Sequence, residues 1–169
     1  DKNSKQVSSY VKKNKSKAGY WCIHLRMTGH FQWLTKNEPP CSHTRVRLWN
    51  KDGKELRFVD IRSFGQMWWV PPGNTPESII KGLKKLGPEP FSNEFNAFYL
   101  KDRLKGKTRA IKTSLLDQSL VAGPGNIYAD ESLFEAGISP QTPSGQLNEI
   151  QLERLCSSLI KVLKVSIGK

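Results

Sequence analysis

The sequence predicts an α+β protein, an antiparallel β-sheet or sandwich module followed by a helical one. Three observations predict it. Residues 20–70 alternate apolar and polar side chains in short runs, broken by turn signals such as Asp52-Gly53. Residues 92–167 repeat their apolar positions at helical spacing. Between them lies Leu86-Gly87-Pro88-Glu89-Pro90, which reads as a rigid hinge. The expected divisions are a partial N-terminal β-sandwich over 1–72, a short helix and hinge over 73–91, and a helical domain over 92–169.

Residues 1–19 are lysine-rich and nearly free of apolar side chains, so a mobile loop or disordered arm is expected there. Over 20–27, Trp21, Ile23, Leu25 and Met27 share one face and Cys22, His24 and Arg26 the other, the pattern of a half-buried strand. Thr28-Gly29 turns the chain into a second strand over 30–34. A loop over 37–42, containing Pro39-Pro40, leads to a third strand over 44–49, with Val46 and Leu48 inward and Arg45 and Arg47 outward. The turn at 51–54 joins it to a fourth strand over 55–59, and a loop over 60–65 to a fifth over 66–70.

A short helix is expected over 77–86, and Ser92 is placed to cap a helix over 93–104. Residues 111–140 read as two helices around Ala122-Gly123-Pro124-Gly125-Asn126. Leu115, Leu116 and Leu120 supply apolar positions of the first, and Ile127, Leu133 and Phe134 those of the second. Pro124 is expected to stop the first helix, and the flanking glycines to allow positive φ and a close backbone approach. The second helix then begins near Gly125 or Asn126, with open amides and a positive dipole end that suit a phosphate. Composition alone favours an ordinary helical hairpin with a tight turn. A last helix over 147–167 carries Leu152, Leu155, Cys156, Leu159 and Leu163, with Gly168 placed to cap it.

The formal net charge is +12 and the pI about 9.8, a balance that suits a polyanion partner. The charge is clustered. Residues 1–20 hold six lysines against Asp1, and residues 101–112 hold Lys101, Arg103, Lys105, Lys107, Arg109 and Lys112 against Asp102. No basic amphipathic helix with a strong apolar face accompanies them, which argues against a membrane partner. Cys22, Cys41 and Cys156 form no Cys-x-x-Cys pair and suit a reducing compartment, so a cytoplasmic protein is expected.

Asp117-Gln118, Gly123 to Glu131 (GPGNIYADE), Leu133-Phe134 and Ala136-Gly137-Ile138 resemble the helix-two-turn-helix of formamidopyrimidine-DNA glycosylases and endonuclease VIII-type relatives, the former more closely. The likeness extends more thinly across most of the chain. It implies a base-excision-repair glycosylase and abasic-site lyase that removes oxidised guanine and formamidopyrimidines from duplex DNA, acting as a monomer. Residues 92–169 then form the helix-two-turn-helix DNA-binding domain.

The resemblance also implies roles for single residues. His24-Leu25-Arg26-Met27-Thr28-Gly29 looks like the family's strand-turn motif, where His24 matches a phosphate contact and Met27 a residue that fills the gap left by an extruded base; Arg26 stands where glycine is common. In Asp60-Ile61-Arg62-Ser63-Phe64-Gly65, Phe64 matches a wedge between base pairs and Arg62 a hydrogen-bond donor to the unpaired base; Ser63 replaces a usual basic residue. His43 matches a DNA contact. Lys107 and Lys112 match positive positions that neutralise phosphates or reach the extruded nucleotide. Gly125, Asn126 and the Ile127 amide match a phosphate clamp. Read without the resemblance, Met27 is a core residue, Arg62 and Phe64 an ordinary hairpin tip, His43 a surface histidine and the lysines a solvated face.

The family's nucleophile is a proline amine at the start of a Pro-Glu-Leu-Pro-Glu stretch, which forms a Schiff base with the sugar. The chain contains no such stretch, no lesion-capping loop and no zinc ribbon with two Cys-x-x-Cys pairs. No catalytic residue, cofactor or metal ligand is therefore expected in it. One zinc ion is expected in a ribbon of the longer parent. The first methionine is Met27, so Asp1 is expected to mark a truncated or processed start. The chain is expected to be the middle of a larger enzyme, binding DNA without catalysing. The alternatives are an endonuclease VIII-type enzyme for oxidised pyrimidines, which the set Met27, Arg62 and Phe64 disfavours, and a non-enzymatic nucleic-acid module, which the strands before the hinge disfavour.

Overall fold

The computed structural model describes residues 18–35 and 38–168, so almost all of the expected arm lies outside the described residues. The chain divides into two units, Asp1–Lys81 and Gly82–Lys169.

The first unit holds β1 (Tyr20–His24), β2 (His30–Thr35), β3 (Thr44–Trp49), β4 (Lys54–Val59) and β5 (Gln66–Val70). All pairings are antiparallel, in a β1–β5 sheet and a β2–β4–β3 sheet. An aromatic line joins the two. The Trp21 ring meets Phe31 edge-on at 6.1 Å, and Phe31 leans on buried Phe58 at 5.3 Å.

The first strand ends at His24, short of the expected Met27. Arg26 takes φ 56°, and the Gly29 N–H donates to the Leu25 carbonyl at 3.1 Å. A tight turn thus replaces the last part of the strand and carries Leu25 and Met27 out to solvent. In β3, a bulge between Thr44 and Val46 leaves Arg45 without a register partner, and such an extra residue re-aims its side chain. Arg47, expected outward, pairs with the buried Glu55 at 2.8 Å and lies over the Trp49 ring at 4.8 Å. Arg57 completes this network. It pairs with Glu55 at 2.7 Å and donates to the Glu38 and Pro39 carbonyls. The two guanidinium groups hold the Glu55 carboxyl down at about 2. The helix expected over 77–86 is one turn, α1 (Pro76–Ile79), followed by a 3-10 segment, Lys81–Lys85, because Ile80 leaves the helical region at φ -100°, ψ 89°.

The second unit holds α2 (Ala97–Leu104), α3 (Ile111–Leu115), α4 (Asn126–Ala136), a 3-10 turn (Ser144–Gln146) and α5 (Glu149–Ile167). Its core is built on Leu100, Ile111, Leu115, Leu133, Leu155 and Leu159, all fully buried. Helix α2 starts later than expected, because Asn96 rather than Ser92 caps it by accepting from the Tyr99 N–H at 2.9 Å. Ser92 Oγ is buried without a hydrogen-bond partner. In α5, Asn148 and Gln151 form a capping box, and Gly168 closes the C-terminus by donating to the Lys164 carbonyl. The segment expected as a hinge is stitched into this unit: Gly87 donates to the Gln118 carbonyl at 2.8 Å, and the Pro88 carbonyl accepts from Ala122 at 3.0 Å.

The glycine-rich turn differs most from expectation. Helix α3 stops at Leu115, and Pro124 does not end it. A tight turn closed by the Leu120 N–H donating to the Asp117 carbonyl at 2.8 Å follows instead, and the chain bends on through 121–123 into Pro124. Ala129, Ser132, Leu133 and Ala136 make the buried face of α4. Ile127 and Phe134, seven positions apart, share an outward face and are exposed.

Candidate nucleic-acid interface

In the first unit two loop tips meet. One runs from His24 to Gly29, the other from Asp60 to Gly65. Asp60 joins them from beneath, with only 1% of its surface exposed. One of its carboxylate oxygens accepts from the Thr28 hydroxyl, and the other from the Gly65 N–H at 2.8 Å. Its own N–H donates to the His43 carbonyl at 3.0 Å, and its carbonyl accepts from Arg45 Nε at 3.0 Å. Three stretches of sequence, around Thr28, His43 with Arg45, and Gly65, are thereby tied to one residue. The Thr28 hydroxyl and the Gly65 amide hold the Asp60 carboxyl below the usual carboxylate range, against its burial. The Thr28 hydroxyl also accepts from the Arg62 N–H at 3.1 Å.

The Phe58 ring forms the floor under both tips. A Cβ built on Gly29 would lie 2.8 Å from that ring and 2.3 Å from the Leu25 carbonyl oxygen; one on Gly65 would lie 2.7 Å from the ring. Both tips therefore depend on glycine for close approach. Above this floor Met27 is 73% and Phe64 58% exposed. Arg62 reaches across and donates to the Met27 sulfur at 3.2 Å. The structure thus brings Met27, Arg62 and Phe64 into one projecting group. An isolated core residue would not be presented this way: two large apolar side chains stand in water beside a guanidinium. His24, at the end of β1, is exposed, and its Nδ1 accepts from the Arg26 N–H at 3.1 Å, which puts the neutral ring's proton on Nε2. His43 is half-buried at the start of β3, its backbone held by Asp60.

In the second unit the turn before α4 is braced by side chains. Gln118 spans it, accepting from the Gly123 N–H at 2.8 Å and donating to the Pro124 carbonyl at 2.9 Å. Asp117 accepts from the Ser119 hydroxyl at 2.6 Å and from the Ser119 N–H at 3.0 Å. Arg109 pairs with its other oxygen at 3.1 Å. These contacts, the Ser119 hydroxyl first, pull the Asp117 carboxyl down to about 2. Tyr99 donates its hydroxyl to the Leu120 carbonyl at 2.9 Å.

Asn126 is the first residue of α4 and exposed. Gly125, the cap position, has no side chain to satisfy the first amides, so these donors stay open. Gly123 has φ 101°, as expected of it. Gly125 does not: its φ of -106° is open to any residue. Lys107 is exposed on a cleft of about 450 Å³ that Arg103, Arg109 and Asp117 also line. Lys112, by contrast, is held in an ion pair with Asp130 at 2.8 Å, linking α3 to α4. It is not a free cation here; it fixes the helix that carries Asn126.

Sequence reasoning missed Asp60, Thr28, Asp117 and Gln118 as the braces of the site. For Asp117 and Gln118 the turn-forming residue types ahead of a Gly-Pro-Gly run were a usable signal. For Asp60 there was none short of the fold. Among the described residues no group of three or more His, Cys, Asp or Glu side chains could hold a metal. No helix of the described residues is long and apolar enough to cross a membrane.

A β unit with paired projecting tips and a helical unit whose braced glycine-rich turn precedes an open helix N-terminus point to the helix-two-turn-helix class of fold. Comparison with known proteins narrows the class. Residues 3–67 match the formamidopyrimidine-DNA glycosylase N-terminal domain, and residues 86–169 match the formamidopyrimidine-DNA glycosylase H2TH domain. A formamidopyrimidine-DNA glycosylase of Prochlorococcus marinus (strain MIT 9313) is 69% identical over 150 residues, 89% of this chain and 52% of that protein. One of Parasynechococcus marenigrum (strain WH8102) is 65% identical over 89% of this chain and 54% of its own length. The Lactococcus lactis enzyme, solved in complex with DNA containing an abasic site, superposes with a TM-score of 0.78 at 35% identity, over 88% of this chain and 54% of that one. The chain belongs to the formamidopyrimidine-DNA glycosylase family, and it spans about half the length of these relatives.

Proposed function

We propose that the chain is the DNA-reading part of a base-excision DNA glycosylase and abasic-site lyase that acts on oxidised purines in duplex DNA. The observation that carries this reading is the projecting group of Met27, Arg62 and Phe64 on a floor of Phe58 and Asp60. An enzyme that works on a base inside a duplex must unstack it first, and inserted apolar side chains stabilise the opened stack. Phe64 acts as the wedge, Met27 occupies the vacated space, and Arg62 donates to the base left without a partner. In the helical unit Asn126 and the open amides of α4 hold one backbone phosphate, and Lys107 lowers the local negative potential. The parent acts as a cytoplasmic monomer. The 169 residues contain no proline amine followed by glutamate in the family's pattern, so borohydride is expected to trap no covalent product between this chain and lesion DNA.

The test compares duplexes that contain or lack an abasic site. Phe64→Ala should erase most of the preference for the abasic duplex and leave salt-dependent binding to undamaged DNA intact, because unstacking costs a few kcal/mol per step. Arg62→Ala should flatten discrimination among opposite bases. Equal losses on every duplex would refute both roles.

A further inference from the structure

We infer that Arg26 is a further DNA contact of this chain, directed at a backbone phosphate beside the Met27 tip; the inference rests on the DNA-reading role proposed above. Among the described residues two non-glycine positions have positive φ, Arg26 and Ser63, both at 56°. One lies on each tip. The left-handed region crowds the Cβ of an L-residue, so the turn at Arg26 favours glycine over arginine. Strain of this kind points to work done by the side chain.

The side chain does little for the fold. Its guanidinium donates to Gln66 Oε1 at 2.7 Å, an exposed contact with a neutral amide. Among the described residues the ion pairs of this unit are those of Glu55 with Arg47 and Arg57, and Arg26 takes part in neither. Arg26 therefore keeps its full charge and most of its five donors. Its setting is built for an acceptor. Gln66 is the register partner of His24, and the Arg26 N–H occupies His24 Nδ1. His24, Arg26 and Gln66 thus form one cluster at the open end of the β1–β5 sheet, next to exposed Met27. A guanidinium and an imidazole Nε2–H in one cluster, neither in an ion pair among the described residues, suit the oxygens of a phosphate.

The experiment measures anisotropy of a labelled duplex carrying a tetrahydrofuran abasic analogue across a salt series, with thermal melting of each variant. Arg26→Gly should melt no lower than the unmodified chain, since it relieves the turn. It should bind roughly two- to fivefold more weakly at low salt, and the slope of log affinity against log salt should shrink by about 0.9, one phosphate contact. Arg26→Lys should keep the slope. Ser63→Gly, which relieves strain without removing charge, should leave affinity and slope unchanged. If Arg26→Gly melts lower, the arginine is a structural brace and the inference fails. It also fails if affinity and slope stay put while Asn126→Ala weakens binding, an outcome that leaves the DNA-reading role standing. A loss confined to one flanking base sequence would replace the phosphate with a base edge and overturn the assignment. If the unmodified chain shows no salt-dependent binding, the DNA-reading role itself falls.

Discussion

Gln118→Ala tests whether the two-turn segment preorganises the phosphate site. The side chain makes two hydrogen bonds across the turn, at 2.8 and 2.9 Å. Each neutral bond of this kind contributes about 0.5–1.5 kcal/mol net, so the pair contributes roughly 1–3 kcal/mol. Nothing else about the core changes, because Leu120, Val121 and Pro124 stay buried through their own side chains. The melting temperature should fall by about 2–4 °C for each kcal/mol lost. Affinity for an abasic duplex should fall as well, since DNA must now order a loose turn before the α4 amides meet a phosphate. Each 1.4 kcal/mol of that cost weakens binding about tenfold. A double-mutant cycle with Asn126→Ala, read by anisotropy at fixed salt, separates this effect from general destabilisation. If Gln118 acts through the α4 N-terminus, the two losses are not additive. Strict additivity, or a lowered melting point with unchanged affinity, would refute the reasoning.

Asn126→Ala alone should remove one charge-assisted hydrogen bond to DNA, on the order of 1.5–3 kcal/mol, without moving the helical circular dichroism melt; unchanged affinity would leave the turn an ordinary helical connection. Gly65→Ala places a Cβ 2.7 Å from the Phe58 ring. It should destabilise the β unit by about 1–3 kcal/mol and displace Arg62 and Phe64, measured as a lower melting point with loss of abasic-site preference. Acid should weaken the helical unit through Asp117. Its folded value is depressed to about 2 from about 3.9 in the unfolded chain, so its contribution is full above about pH 4 and fades as pH falls toward about 2. The melting difference between the unmodified chain and Asp117→Asn should therefore shrink over that window, and a constant difference would count against it.

The local signals read the secondary structure of the β unit well. Thr44–Trp49 and Gln66–Val70 lie where alternation put them, because period-two patterning and Asp-Gly turn chemistry act over a few residues. The residues at the two tips, Met27, Arg62 and Phe64, were singled out from the resemblance in their motifs. What the sequence could not say is how they are held. A carboxylate reads the same whether solvated or buried, and the partner that closes Asp60, Thr28, lies 32 positions away. The same holds for Lys112, whose partner in the fold, Asp130, lies 18 positions on. Patterning also failed at Ile127 and Phe134, apolar residues that the packing of α4 leaves outside. Periodicity, caps and turns are encoded between neighbours along the chain. Burial, ion pairing and the meeting of two loop tips are decided only when distant segments close on one another, and tertiary structure alone supplied them.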